Sequence, residues 1–244
     1  MHRPQAAPRK ILILNPKGGS GKTTLATNLA AYYALRGLHP TLLDLDGQGS
    51  STRWISKRTE DAPAIHGIRG FDLPTNVTRT FAMRPPDDCE RLVVDTAASV
   101  TTQELVPLTR DAYRIVIPVL PSDIDIHAAT RCVADLLLVA KIPRAENRIA
   151  VVANRVKRNT VVFRSLMRFL ESLQIPVIGV LRDTQNYVRA FENGQGIHEV
   201  KGGTQAQDQR QWESILAWLE YGEEPAPASL WQDPERENGY SASW

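Results

Sequence analysis

Six apolar runs recur along the chain, each five to seven residues long. They are rich in Val, Ile and Leu, which is typical of strands that are buried on both faces of a sheet. The segment that follows the first run, residues 25–36, has the periodicity of a helix. Strands that alternate with helices indicate an α/β fold, with a mostly parallel sheet flanked by helices on both faces. The predicted strands are residues 10–14, 41–46, 91–96, 114–120, 149–153 and 175–181.

Periodicity also predicts a helix at residues 211–221. We expect its apolar side to pack against the domain rather than lie on a membrane, because the segment that follows is acidic. That side carries Trp212, Ile215, Leu216 and Leu219. With 244 residues, a single domain with a large core is the simplest organisation. We therefore predict a flexible N-terminus (1–9), one domain (10–221) and a flexible acidic tail (222–244).

A glycine-rich segment lies between the first predicted strand and the first predicted helix. It reads Lys17-Gly18-Gly19-Ser20-Gly21-Lys22-Thr23-Thr24. This spacing matches the P-loop pattern, in which glycines turn backbone N–H groups toward an anion and the helix N-terminus adds partial positive charge. We expect all of these residues to surround bound phosphates. Lys22 should reach the β- and γ-phosphates, and the hydroxyl of Thr23 should ligate Mg²⁺.

Carboxylates follow two of the predicted strands. Asp44 and Asp46 come at the end of the second strand, and Asp95 ends the third. Ligands of parallel α/β sheets bind at the carboxyl ends of the strands, so these side chains should lie near the glycine loop. An apolar run that ends in aspartate has the form of a Walker B strand, and we expect Asp95 to hold Mg²⁺ through a water molecule. An aspartate pair after a strand also suits a helix N-cap and turn.

The two lysines of the glycine loop carry a family resemblance. The pattern from Lys17 to Thr24 resembles the deviant Walker A motif of the ParA/MinD family of partition and positioning ATPases, closest to the small ParA-type proteins. Similar segments run from roughly Lys10 to Glu199. The resemblance implies Mg²⁺-dependent ATP hydrolysis by a homodimer that holds ATP between its subunits, with Lys17 reaching the partner's phosphates. Taken alone, Lys17 is better explained as a solvated loop lysine.

The resemblance also assigns roles to three polar residues. The segment that contains both early aspartates is similar to the family's Asp-x-Asp-Pro-Gln motif. It implies that Asp46 orients the attacking water and that Asp44 supports Lys22 and the metal. Asn154 stands where the family often has an asparagine that reads the edge of adenine, although an asparagine after a strand also suits a turn.

Two departures from the family pattern concern the loops that follow the aspartates. The family usually has prolines where this chain has Gly47 and Ala97-Ala98. Because proline restricts the backbone and glycine frees it, both loops should be looser than usual. We expect nucleotide binding to survive. A scaffold that binds nucleotide without hydrolysing it remains an alternative.

Charge is unevenly distributed although the formal net charge is only +2. Residues 141–168 contain eight basic residues and one acidic residue, Glu146. Such a stretch attracts the phosphates of DNA without reading sequence, but it is equally compatible with a solvated helix face. Many partition ATPases of the resembled family bind DNA nonspecifically as ATP dimers, which favours the first interpretation. The candidate DNA contacts are Arg155, Lys157, Arg158, Arg164 and Arg168.

Several function classes are excluded or disfavoured by composition. Cys89 and Cys132 are too few and too far apart for a disulfide framework or a thiolate metal site, which argues against the iron–sulfur reductases that share the resembled fold. No apolar run is long enough to span a membrane, so we expect a cytoplasmic protein. A metabolic P-loop enzyme would need an acceptor site, and none is recognisable.

The sequence therefore predicts an ATPase that positions a cargo. The resemblance implies that the protein cycles on and off nonspecific DNA in a bacterium, where it is nucleoid-associated, and segregates a plasmid, a chromosome region or a protein assembly such as a microcompartment. A cargo-linked protein that stimulates hydrolysis is the implied partner. A MinD-like ATPase that binds membrane through residues 211–221 is the alternative.

Overall fold

The computed structural model describes residues 7–73, 78–158 and 160–223. Within these residues the chain forms a seven-stranded, wholly parallel sheet in the order β3-β2-β4-β1-β5-β6-β7. The predicted fold class is confirmed. The strands are β1 (Arg9–Ile13), β2 (Pro40–Asp44), β3 (His66–Arg69), β4 (Arg91–Asp95), β5 (Arg114–Val119), β6 (Ile149–Val156) and β7 (Val177–Arg182).

Helices connect the strands and cover the sheet. Short 3₁₀ turns at Arg144–Glu146 and Gly203–Gln205 complete the connections. The helices are α1 (Lys22–Leu35), α2 (Ser50–Ser56), α3 (Arg79–Ala82), α4 (Thr102–Thr109), α5 (Asp123–Leu138), α6 (Val161–Ser172), α7 (Gln185–Glu192), α8 (Ala206–Arg210) and α9 (Glu213–Tyr221).

Alternate residues of the central strands enter two separate cores. In β1, Ile11 and Ile13 face a core that also contains side chains of α1, α2, α7 and α9. Leu12 faces the other core, with side chains of α4, α5 and α6. Because successive side chains of a strand point to opposite faces, a sheet covered on both sides needs continuous apolar runs, and this explains the pattern in the sequence.

One strand and several boundaries differ from the sequence-based prediction. β3 was not predicted because its residues are His-Gly-Ile-Arg, of which only Ile68 is buried. It is an edge strand that pairs with β2 alone. β6 continues to Val156, three residues beyond its predicted end, and β7 begins at Val177 rather than at residue 175.

Helix α9 packs into the domain as expected. Trp212, just before the helix, and Ile215, Leu216 and Leu219 within it are all buried. A Cβ atom added to Gly179 of β7 would lie 2.5 Å from Cγ1 of Ile215, so α9 rests directly on the strand backbone. None of the helices among the described residues has the length and hydropathy needed to cross a bilayer. Residues 1–6 of the predicted N-terminus and residues 224–244 of the predicted tail lie outside the described residues.

Shortening Ile215 should destabilise the protein strongly. Ile215→Ala is expected to lower the free energy of unfolding by about 2–4 kcal/mol, because the fully buried side chain leaves a cavity against β7. Tyr221→Ala, at the exposed end of the same helix, should change it by less than about 0.5 kcal/mol. Urea unfolding measures both. Equal, small effects would mean that α9 is not part of the core.

Candidate nucleotide-binding site

The glycine loop lies where the sequence predicts it, between β1 and α1. Gly19 and Gly21 have φ angles of 77° and 97°, in the left-handed region that favours glycine. A Cβ atom on Gly21 would lie 2.0 Å from Nδ2 of Asn154, so the loop also approaches β6 too closely for a side chain. Helix α1 begins at Lys22, and the free N–H groups of its first turn therefore face the loop.

Lys22 places its amine inside the loop. Nζ donates hydrogen bonds to the carbonyl oxygens of Asn15 at 3.0 Å and of Lys17 at 3.1 Å. Burial lowers the pKa of Lys22, and the nearby carboxylates of Asp95 and Asp46 oppose that shift. The amine thus lies within the field of both acids, at the position that a P-loop lysine needs in order to meet a phosphate.

Asp95 is held by hydroxyl groups from two helices. Its Oδ2 accepts hydrogen bonds from Oγ1 of Thr23 at 2.8 Å and from Oγ of Ser51 at 2.6 Å. Burial raises the pKa of Asp95 to about 6. Its Oδ1 is buried and has no hydrogen-bond partner within the described part of the chain. A buried carboxylate oxygen without a donor, beside a threonine hydroxyl, suits Mg²⁺, which prefers oxygen ligands.

Asp44 lies beside Asp95, because the two residues are paired in register on β2 and β4. Its Oδ2 accepts hydrogen bonds from both the backbone N–H and the hydroxyl of Thr52, each at 2.9 Å. Its Oδ1 accepts one from the N–H of Asp46 at 3.1 Å. Burial raises the pKa of Asp44 as well. The structure therefore places Asp44 beside Asp95, and its support of Lys22 and the metal stays a prediction.

Asp46 begins a tight turn that leads from β2 to α2. Its Oδ1 accepts a hydrogen bond from the N–H of Gln48 at 3.0 Å, and its carbonyl accepts one from Gly49 at 2.8 Å. The side chain is half-buried. In this conformation Asp46 acts as the turn residue of the alternative interpretation, while it remains close enough to Lys22 to influence its pKa.

Lys17 points away from its own phosphate loop. Its Nζ lies 2.5 Å from Oδ2 of Asp125, in the first turn of α5. Asp125 is 1% exposed, and the same Oδ2 accepts a hydrogen bond from Oγ of Ser122. Sequence reasoning missed Asp125, although Ser122 and Asp125 have the Ser-x-x-Asp spacing of a helix N-terminus.

The side chain of Asn154 is hydrogen-bonded to the glycine loop and is not open to solvent. Its Nδ2 donates to the carbonyl of Ser20 at 2.9 Å, and its Oδ1 accepts from the N–H of Arg155 at 3.0 Å. The residue is buried. Contact with adenine remains a prediction. The backbone carbonyl of Thr24 accepts a hydrogen bond from the side-chain amide of Asn28 at 2.8 Å, and the contact of Thr24 with phosphate stays a prediction.

The candidate DNA contacts lie around the end of β6 and on α6. Lys157, Arg164 and Arg168 are exposed, and Arg158 is half-buried. Arg155 is exposed and forms a salt bridge of 3.2 Å with Asp183. Arg164 and Arg168 are one turn apart on the polar side of α6, whose apolar side is buried against the sheet. We call these five residues the basic surface.

Comparison with known proteins assigns the chain to a family. Residues 11–197 match the CobQ/CobB/MinD/ParA nucleotide binding domain. The chain belongs to this family. Maintenance of carboxysome distribution protein A from Halothiobacillus neapolitanus is 28% identical over 191 residues, which are 78% of this chain and 87% of that protein. The chromosome-partitioning ATPase Soj of Thermus thermophilus is 50% identical over 69 residues, which are 28% of this chain and 27% of that protein.

Solved structures share the fold. Apo McdA of Cyanothece has a TM-score of 0.67 at 14% identity and covers 87% of this chain and 100% of its own. The MinC:MinD cell division protein complex of Aquifex aeolicus has a TM-score of 0.65 at 19% identity, with 88% and 96% covered. The ParA protein of pNOB8, bound to nonspecific DNA, has a TM-score of 0.52 at 24% identity, with 68% and 75% covered.

The family match confirms the resemblance that the lysine pair predicts. The protein is a P-loop ATPase of the ParA/MinD family. Gly47 departs from the family pattern without being required by the fold: its φ is not positive, and a Cβ atom there would meet nothing within 4 Å. Ser51 and Thr52, which sequence reasoning missed, contact the same buried acids as the predicted residues.

The metal-free ATPase should lose stability as the pH rises through 6. The pKa of about 6 for folded Asp95 exceeds the value of about 3.9 for an unfolded aspartate, so the folded state binds the proton more tightly and raising the pH removes that advantage. Asp95→Asn lacks this dependence. Its free energy of unfolding relative to wild type should therefore increase by about 1 kcal/mol between pH 5 and pH 7.5. Urea unfolding in EDTA measures it, and a difference independent of pH would contradict the assignment.

Proposed function

We propose that this ATPase forms a homodimer around ATP, binds DNA nonspecifically and positions an intracellular cargo. The observation that carries the proposal is the divergence of the two lysines of one glycine loop. Lys22 turns into the loop, where its amine contacts loop carbonyls. Lys17 turns outward to α5, with about a third of its side chain exposed. Because the two amines point in different directions, they suit two different triphosphates: Lys22 that of its own subunit, and Lys17 that of the partner subunit.

In a dimer, Lys17 would exchange the carboxylate of Asp125 for the triphosphate of the second subunit. Asp125 offers Lys17 a single carboxylate, which is shared with Ser122. A triphosphate presented by a second subunit carries more negative charge, so it competes for the same amine. Lys17 then joins the two subunits, and dimerisation depends on ATP.

Hydrolysis in this proposal needs a positioned water and neutralised charge. Asp46 lies at the carboxyl end of β2 within reach of Lys22's field, and a carboxylate there can orient the attacking water. Thr23 and Asp95 would hold Mg²⁺, which when bound supplies positive charge to the phosphates. Asp44 and Thr52 keep the turn at Asp46 in place. Asn154, by its position against the loop, would face the base.

DNA binding in this proposal rests on exposed cations. The side chains of Lys157, Arg164 and Arg168 have no hydrogen-bonded or ionic partner among residues 7–73, 78–158 and 160–223, so they are available to phosphates. Arg155 and Arg158 extend the same surface. A dimer doubles this charge, and two weak patches that bind together gain avidity without any new contact. Attachment to the nucleoid would follow the nucleotide state.

The relatives suggest the kind of cargo. Proteins similar to this chain are named for carboxysome distribution and for chromosome partitioning, so a protein assembly or a DNA region is the cargo we propose. A cargo-linked protein would stimulate hydrolysis. Membrane attachment through α9 has no support, because the apolar residues of that helix are buried.

Lys17 should be needed for dimerisation but not for nucleotide binding. With Mg²⁺ and the nonhydrolysable analogue AMP-PNP, wild type is expected to sediment as a dimer and Lys17→Ala as a monomer that still binds. Lys22→Ala should weaken analogue binding by at least about tenfold, because it loses a charged hydrogen bond to phosphate. Asp46→Ala should still form the dimer with ATP but release phosphate at least about 100-fold more slowly.

Two results would overturn parts of this scheme. A wild-type protein that remains monomeric at saturating analogue would exclude the ATP-linked dimer. A wild-type dimer that releases no phosphate in the presence of DNA would instead favour the nonhydrolysing scaffold suggested by Gly47 and Ala97-Ala98.

Reversing charge on α6 should weaken DNA binding and spare the dimer. Arg164→Glu with Arg168→Glu is expected to reduce the slope of log affinity against log salt by about 0.9 for each DNA phosphate that the protein no longer neutralises. Lys141→Glu with Arg144→Glu makes the same change of charge at another exposed place and serves as the matched control. Fluorescence anisotropy of labelled duplex DNA measures the slope. Equal changes of the slope for both pairs of substitutions would mean that α6 contributes only general electrostatic attraction and is not a DNA-binding surface.

A further inference from the structure

Helix α2 begins with hydroxyl groups that bind the two buried acids of the site. Ser51 donates to Asp95, and Thr52 donates to Asp44. Ser51 is fully buried, whereas Ser50 before it is half-buried and its hydroxyl contacts Arg53 on the outer side of the helix. The first turn of α2 is therefore fastened to β4 by one side chain in particular.

The far end of α2 is fastened as well. The indole N–H of Trp54 donates to the carbonyl of Gln195 at 3.3 Å. Arg58 makes a two-pronged salt bridge with Glu199, with N–O distances of 2.7 and 2.9 Å. A Cβ atom on Gly194 would lie 2.6 Å from the carbonyl carbon of Lys57, so this loop sits tightly against the end of the helix. Within the described part of the chain, the hydrogen bond from Ser51 connects this unit to the acid that suits the metal.

The hydrogen bonds to Asp95 define the role of Ser51. Oδ2 of Asp95 has two donors, Thr23 and Ser51. A threonine hydroxyl can ligate a metal through a lone pair while its O–H still donates to the carboxylate, so Thr23 can contact both the ion and Asp95. Ser51 is the second side-chain donor to this carboxylate, and together with Thr23 it fixes Oδ2 and leaves Oδ1 directed at the metal.

We propose that Ser51 is a positioning residue that orients Asp95 for Mg²⁺ and thereby fastens α2, with the turn at Asp46, to the metal site. The inference rests on the proposed function. It assigns to Ser51 a contribution to metal binding that is separate from the binding of the nucleotide itself. The turn at Asp46 lies between two fixed points, Asp44 and Ser51. Through Ser51, metal binding at Asp95 would therefore also restrain that turn.

A metal titration separates this role from a merely structural one. Binding of fluorescent N-methylanthraniloyl AMP-PNP is measured first in EDTA and then against increasing magnesium chloride. For Ser51→Ala, affinity in EDTA should stay within about twofold of wild type, while the magnesium concentration for half-maximal effect should rise about tenfold, or about 1.4 kcal/mol. Ser51→Cys, a weaker donor of similar size, should fall between the two. Amide hydrogen exchange of residues 50–56 in the magnesium complex should be faster in Ser51→Ala.

Ser50→Ala is the matched control, and it should leave both the magnesium midpoint and the exchange rates at wild-type values. Equal magnesium midpoints for Ser51→Ala and Ser50→Ala would overturn the proposal, as would a loss of affinity that is as large in EDTA as in magnesium. If Ser51→Ala does not fold, Ser51→Cys decides by the same midpoint. A wild-type protein that binds nucleotide without responding to magnesium would instead contradict the proposed function.

Discussion

Two buried carboxylates side by side constrain the rest of the site. Asp44 and Asp95 are neighbours on adjacent strands, and as anions they repel each other in a medium that already disfavours charge. The amine of Lys22 is engaged with loop carbonyls, so neutral donors must satisfy the acids. These donors come from the first turns of two helices: Thr23 of α1, and Ser51 and Thr52 of α2. Burial of the acids thus requires α1 and α2 to converge on one edge of the sheet.

The site combines local sequence motifs with contacts between distant residues, and the sequence predicts only the first of these. The glycine loop and the strand-end aspartates are local patterns, and their positions follow from the parallel sheet. Ser51 and Asp125 meet their partners across 44 and 108 residues, and no local periodicity encodes such a pairing. β3 escaped prediction for a related reason, since a strand at the edge of a sheet buries little and needs no apolar run. Sequence therefore identifies the groups expected to bind phosphate and metal, but not the residues that position those groups.

In the single chain, Lys17 forms an ion pair with Asp125. Asp125 is almost fully buried, and its Oδ1 has no donor in the described residues, so Lys17 is the charge that balances it. In the proposed dimer, moving Lys17 to the partner's phosphates leaves that carboxylate uncompensated, which costs free energy. ATP must supply more than this cost. In the proposed dimer, this competition would make dimerisation sensitive to the charge of the nucleotide and favour the triphosphate over the diphosphate.

In the proposed function, the position of the basic surface would link ATP-dependent dimerisation to DNA binding without a conformational change. β6 carries Asn154 against the loop at Ser20, and the basic surface starts with the next residue of the strand, Arg155. The surface and the nucleotide therefore share the carboxyl edge of the sheet. In the proposed dimer, subunits that meet across that edge would bring their two basic surfaces toward each other. Because the affinity of a charged surface rises steeply with the number of phosphates it neutralises, α6 would not have to move for ATP to control attachment in the proposed function.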